Sequence, residues 1–127
     1  MSKLLIDTSV IIDFLRRKDK KDTLLYQISG NDLYISIITH AELYSGKGVW
    51  EKQNVKEALE NVLEEISIIP LNEKMSQKSG HLKAQYYNTS LFDCIIAATA
   101  SSNDIKLVTF NTKDFKNIKG LTLFELN

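Results

Sequence analysis

Four acidic residues stand beside apolar runs in this chain: Asp7, Glu42, Asp93 and Asp114. Asp7 closes the run Leu4-Leu5-Ile6. Glu42 lies in Ile38-Thr39-His40-Ala41-Glu42-Leu43. Asp93 lies in Leu91-Phe92-Asp93-Cys94-Ile95-Ile96, and Asp114 follows Leu107-Val108-Thr109-Phe110. A carboxylate beside apolar residues is costly to bury unless something neutralises it. Four of them at element ends suit a hard divalent cation, because Mg2+ and Mn2+ take oxygen ligands. The chemistry this points to is hydrolysis by metal-activated water.

The elements that must position these acids read as α/β. Leu4 to Ile6 reads as a buried strand, followed by a helix from Ser9 to about Arg17 with Val10, Ile11, Phe14 and Leu15 on one face. A second helix is expected over Asp22 to Ile28, a short strand over Leu33 to Ser36, and a short helix over Thr39 to Ser45. Asn54 to Glu65 has helical spacing, and Ile66 to Ile69 reads as a strand ended by Pro70. Asn72 to Tyr87 and Ser90 to Ser101 read as helices, Lys106 to Phe110 and Leu121 to Leu126 as strands. Strands alternating with helices imply a three-layer α/β/α arrangement around a mainly parallel sheet. Ligands bind such sheets at the carboxyl ends of the strands, where Asp7 falls and just beyond which Asn111 and Asp114 lie. Glu42 and Asp93 belong to the first turns of helices expected on the same edge. Converging ionised carboxylates repel one another and require a cation.

Composition narrows the partners. The chain has 127 residues, 43% hydrophobic and 25% charged, as expected of one globular domain over residues 1–127. Lys+Arg and Asp+Glu number 16 each, so a nucleic acid must be held by a local basic patch. Arg16-Arg17-Lys18 and Lys113 with Lys116 are the candidates, against the plainer reading of solvated faces. One cysteine, no cysteine–histidine cluster, no leader and no membrane-length apolar run give the expectation of a cytoplasmic protein.

Together the blocks Leu5-Ile6-Asp7-Thr8-Ser9-Val10, Ala41-Glu42-Leu43, Asp93-Cys94-Ile95-Ile96-Ala97-Ala98-Thr99-Ala100 and Leu107-Val108-Thr109-Phe110-Asn111-Thr112-Lys113-Asp114-Phe115 resemble the PIN domain. More narrowly, they resemble the toxin component of type II VapBC toxin–antitoxin pairs. The resemblance implies a Mg2+-dependent endoribonuclease, with Mn2+ as a substitute, that leaves a 5′-phosphate and a 3′-hydroxyl on RNA. It implies Asp7 and Asp93 as principal metal ligands, completed by Glu42 and Asp114. Thr8, Ser9, Thr109 and Asn111 are expected to orient the acids or contact substrate. Many PIN domains carry an acid two residues after the threonine numbered 109 here. This chain has Asn111 there and Asp114 three residues on, so both are candidates for the fourth position. The resemblance also implies a homodimer and a VapB-like antitoxin partner.

Plainer readings exist for each piece. Thr39-x-x-Glu42 and Ser90-x-x-Asp93 both fit a capping box, and Asp7 alone fits a helix N-cap. His40 and His81 are scattered, Cys94 reads as a core residue, and Trp50 and Tyr44 suit either core or partner. Other Mg2+ phosphotransfer enzymes fit poorly. A haloacid-dehalogenase-type phosphatase needs an aspartate where Ser9 stands, and a receiver domain needs an acidic pair before its acceptor. A non-catalytic PIN fold, binding RNA or protein, usually lacks one or more of the acids. If the acids form a self-repelling cluster, Asp7→Asn and Asp93→Asn should leave the metal-free protein as stable as before, or slightly more so.

Overall fold

Leu4, Leu5 and Ile6 are all fully buried, so the first strand is covered on both faces. The structure is a computed structural model that describes residues 2–126. Its elements are β1 (Lys3–Ile6), α1 (Thr8–Arg16), a 3-10 turn (Lys20–Asp22), α2 (Leu24–Gln27), β2 (Asp32–Ser36), α3 (Ile37–Leu43) and α4 (Lys47–Glu51). There follow α5 (Gln53–Leu63), β3 (Ser67–Ile69), α6 (Glu73–Gln85), α7 (Leu91–Ser102), β4 (Lys106–Val108) and α8 (Thr112–Phe115).

The four strands lie in the order β3-β2-β1-β4, and every pairing is parallel. Side chains alternate across β1. Leu4 and Ile6 enter one core with Val10, Ile11, Ile35 and Leu59, under α1 to α5. Leu5 enters the other with Ile96, Ala97, Leu107 and Phe115, under α6 to α8. The expected three-layer α/β/α arrangement is therefore observed. Ala97, Ala98 and Ala100 of α7 are fully buried, and such small side chains let the helix lie close on the sheet.

From β1 the chain steps to β2 and β3 on one side, then returns across β1 to β4 on the other. The strand order reverses at β1. The crevice beyond the carboxyl ends of β1 and β4 is the topological switch point, the usual ligand site of such sheets. Asp7 follows β1 directly and Thr109 follows β4 directly.

Three local expectations are corrected. The third helix begins at Ile37, not Thr39, because the Ser36 hydroxyl accepts the Ile38 N–H at 3.1 Å and caps it. Thr39 is therefore inside the helix and fully buried, and forms no capping box with Glu42. The expected helix over Asp22 to Ile28 is split, since Thr23 is extended and caps α2 through the Tyr26 N–H. The expected strand from Leu121 to Leu126 is reduced to a single parallel bridge between Leu107 and Leu123. Two hydrogen bonds hold it there, Leu107 N–H to the Thr122 carbonyl and Phe124 N–H to the Leu107 carbonyl.

Candidate active site

Asp7 sits where β1 turns into α1. It is the N-cap of that helix, 5% exposed, and its N–H donates to the Val108 carbonyl at 2.9 Å. This last bond ties the ends of β1 and β4 and places Asp7 beside Thr109. Three donors meet the Asp7 carboxylate. The Thr8 N–H donates to Oδ1 at 2.9 Å, and the Ser9 and Thr109 hydroxyls donate to Oδ2 at 3.2 Å and 2.7 Å. Thr109 Oγ1 also accepts the Asn111 N–H at 2.9 Å, so its own proton is directed at Asp7. The side chain is thus fixed from both strands. Asp7 is both a helix cap and a member of a buried polar network, as the plainer reading had it, and this does not remove it from the site.

Glu42 comes from α3, which β2 delivers to the same edge. The buried Thr8 hydroxyl donates to Glu42 Oε1 at 2.9 Å. The first residue of α1 therefore links Asp7 to Glu42, with its N–H on one and its hydroxyl on the other.

Asp93 is the third residue of α7, and its N–H donates to the Ser90 hydroxyl at 3.1 Å. Its carboxyl is pushed above the usual carboxylate range. Burial is the largest cause and the charge of Asp7 the next; the Ser90 hydroxyl opposes them, and Asp114 and Glu42 add to the rise. Asp93 thus feels all three other acids, each delivered by a different element. Ser90 was not among the expected site residues. Its signal was the Ser90-x-x-Asp93 spacing, which reads as a cap and is one.

Asp114 is exposed in the first turn of α8. Asn111 is the N-cap residue of that helix but makes no side-chain cap bond, and its contribution to the network is through the backbone N–H. The remaining sequence candidates lie elsewhere. His40 stacks on Tyr44 with ring centroids 4.9 Å apart, and His81 is exposed on α6. Cys94 is fully buried in the second core, and burial pushes its thiol up. Trp50 is a surface residue at 64% exposure, its indole N–H donating to the Tyr44 carbonyl at 2.7 Å.

The donor set suits a hard cation: every charged group here is a carboxylate, and their mutual repulsion is registered at Asp93. Among the described residues, no three His, Cys, Asp or Glu side chains stand close enough to hold one ion as they lie.

A PIN-domain family model matches residues 4–121. The chain belongs to the PIN-domain family. Within that family it resembles the VapC proteins. It is 33% identical to ribonuclease VapC1 of Methanocaldococcus jannaschii over 98% of this chain and 88% of that protein. A toxin–antitoxin complex from Klebsiella pneumoniae contains a chain 30% identical, with a TM-score of 0.74 and coverage of 97% of this chain and 99% of that one. The fold is shared also with VapBC2 from Rickettsia felis, solved bound to a promoter DNA fragment, at a TM-score of 0.81, 24% identity and coverage of 98% and 99%.

Proposed function

We propose that this chain is the endoribonuclease toxin of a VapBC-type pair, hydrolysing RNA phosphodiester bonds at Asp7, Glu42, Asp93 and Asp114 with Mg2+ as cofactor. The observation that supports the reading is the Asp7 carboxylate at the switch point, held by Ser9 and Thr109 and joined through Thr8 to Glu42. The VapC relatives supply the substrate class. Asp7 and Asp93 are the principal groups to hold the ion, which when bound lowers the pKa of water, polarises the phosphate and stabilises the leaving oxygen. Asp7 holds its orientation through Thr8, Ser9 and Thr109. In this reading one of the carboxylates accepts a proton from the attacking water, and Glu42 Oε1 itself accepts the Thr8 hydroxyl. The products are a 5′-phosphate and a 3′-hydroxyl.

The partner in this reading is a VapB-like antitoxin, and the Klebsiella structure is a toxin–antitoxin complex. The assembly is a homodimer of chains that each form one PIN domain over residues 1–127. No helix among the described residues is long and apolar enough to cross a membrane, and the cytoplasm is the proposed compartment.

The test is RNA cleavage by the purified chain with Mg2+ or Mn2+. EDTA is expected to stop cleavage and added metal to restore it; cleavage that survives EDTA unchanged would refute the metal mechanism.

A second expectation concerns the fourth position. Asp114 carries a charge felt at Asp93, whereas Asn111 acts through its backbone. Asp114→Asn should therefore lower Mg2+ affinity and single-turnover cleavage together by roughly tenfold, the lower end of what a supporting residue of a metal site supplies. Asn111→Ala keeps its N–H and should do less. The reverse order of effects would move the fourth position to Asn111.

A further inference from the structure

Four acids that hold a cation also repel a polyanion, and a chain of zero net charge offers no general attraction to offset this. RNA must be brought in by cations placed locally. Two basic groups are visible in the sequence. In the N-terminal one, Arg17 pairs with Asp13 at 3.1 Å, the only ion pair among the described residues, while Arg16 and Lys18 are exposed and not ion-paired. Lys20 donates to the Phe14 and Leu15 carbonyls. The other group is free of such ties. Lys113, Lys116 and Lys119 are exposed, and none is ion-paired among the described residues.

These three lysines stand on a fixed support. Phe115 and Ile118, which alternate with them, are 1% and 5% exposed and anchor the segment in the second core. The Lys119 N–H donates to the Tyr86 hydroxyl at 3.1 Å, which ties the segment to the end of α6. Lys113 directly precedes Asp114, so the first lysine of the row adjoins the acidic site. Residues 106–120 carry four lysines and the single acid Asp114. Residues 57–65, mostly on α5, carry four glutamates and no lysine or arginine. α5 and α8 cover opposite faces of the sheet.

We propose that Lys113, Lys116 and Lys119 form a phosphate track that holds the backbone of single-stranded RNA beside the bond cut at the acidic site. The proposal rests on the ribonuclease reading. The lysines act as point charges on phosphates, so they contribute affinity and placement and carry no base specificity.

The experiment is fluorescence anisotropy of a labelled mixed-sequence RNA oligonucleotide with the full chain in EDTA, where no cleavage competes, across a series of KCl concentrations. For single strands, each phosphate contact contributes about 0.7 to the slope of log affinity against log salt. Replacing all three lysines by glutamine should reduce the slope by about 2 and weaken binding at low salt by roughly tenfold or more. Lys74→Gln with Lys78→Gln, at the start of α6, should leave the slope as in wild type. A triple variant with wild-type slope and affinity overturns the track while leaving the ribonuclease reading to be judged by cleavage. If that variant instead keeps RNA binding but loses retention on polyglutamate, the row serves an acidic protein and the proposal also falls. A wild-type chain that binds no oligonucleotide even at low salt overturns it too, since a phosphate track needs no metal.

Discussion

Asp93→Asn is expected to lower RNA cleavage by at least about a hundredfold while leaving the metal-free protein as stable as wild type or slightly more so. Removing an outer partner of a metal ligand typically costs about 10–100-fold, and loss of the ligand itself costs no less. The stability half follows from the direction of the Asp93 shift. Burial and the charges of Asp7, Asp114 and Glu42 make its ionised form costly in the folded state. The unfolded chain releases the proton at the ordinary carboxylate value. Between that value and the raised folded one, the folded state binds more protons, so stability falls as pH rises through the window. Above the window the penalty persists in full; below it there is none. Asparagine carries no such charge. Thermal unfolding in EDTA should therefore show a gap in favour of Asp93→Asn that is absent at low pH and opens as pH rises. A variant less stable than wild type by several kcal/mol at neutral pH would mark Asp93 as a structural cap instead.

Asp7→Asn should lose both cleavage and stability. The two aspartates are equivalent as acids in the sequence, but not in the structure. The Thr8 N–H is fixed in the backbone and requires an acceptor at Oδ1. An amide that keeps its oxygen there must turn its nitrogen towards the Ser9 and Thr109 hydroxyls, which now donate to Oδ2. Thr109 then loses its acceptor in a site where Asp7 is 5% exposed. An unsatisfied buried donor costs about 1–3 kcal/mol. Urea unfolding in EDTA measures this directly, and wild-type stability for Asp7→Asn would show that the three donors do not act as a unit. The expectation from the bare sequence, that both substitutions relieve repulsion without loss, is thus kept as a prediction for Asp93 and revised for Asp7.

That contrast marks what could be read without the fold. Each acid was visible because it interrupts or closes an apolar run. The parallel sheet was visible because short apolar strand runs alternate with stretches of helical spacing. Which hydroxyls meet which carboxylate was not, because Thr109 and Asp7 are brought together by the pairing of Ile6 with Val108, across more than a hundred residues. The boundary at Ile37 was missed for a different reason. Ile35, Ile37 and Ile38 suit a strand as well as a helix, and the Ser36 hydroxyl decides between them. The C-terminal segment misled in the opposite sense. Leu121 and Leu123 alternate as a strand would, yet β4 has only three residues and pairs with that segment at one point.

The central claim is that these carboxylates hold a divalent ion at the switch point of the sheet. Mn2+ binding, followed by loss of the free-ion paramagnetic resonance signal, tests it most directly because it needs no RNA of the right sequence. Wild type is expected to bind Mn2+ in competition with Mg2+, and Asp93→Asn to bind it at least about tenfold more weakly. Equal Mn2+ affinity in the two proteins would contradict the account.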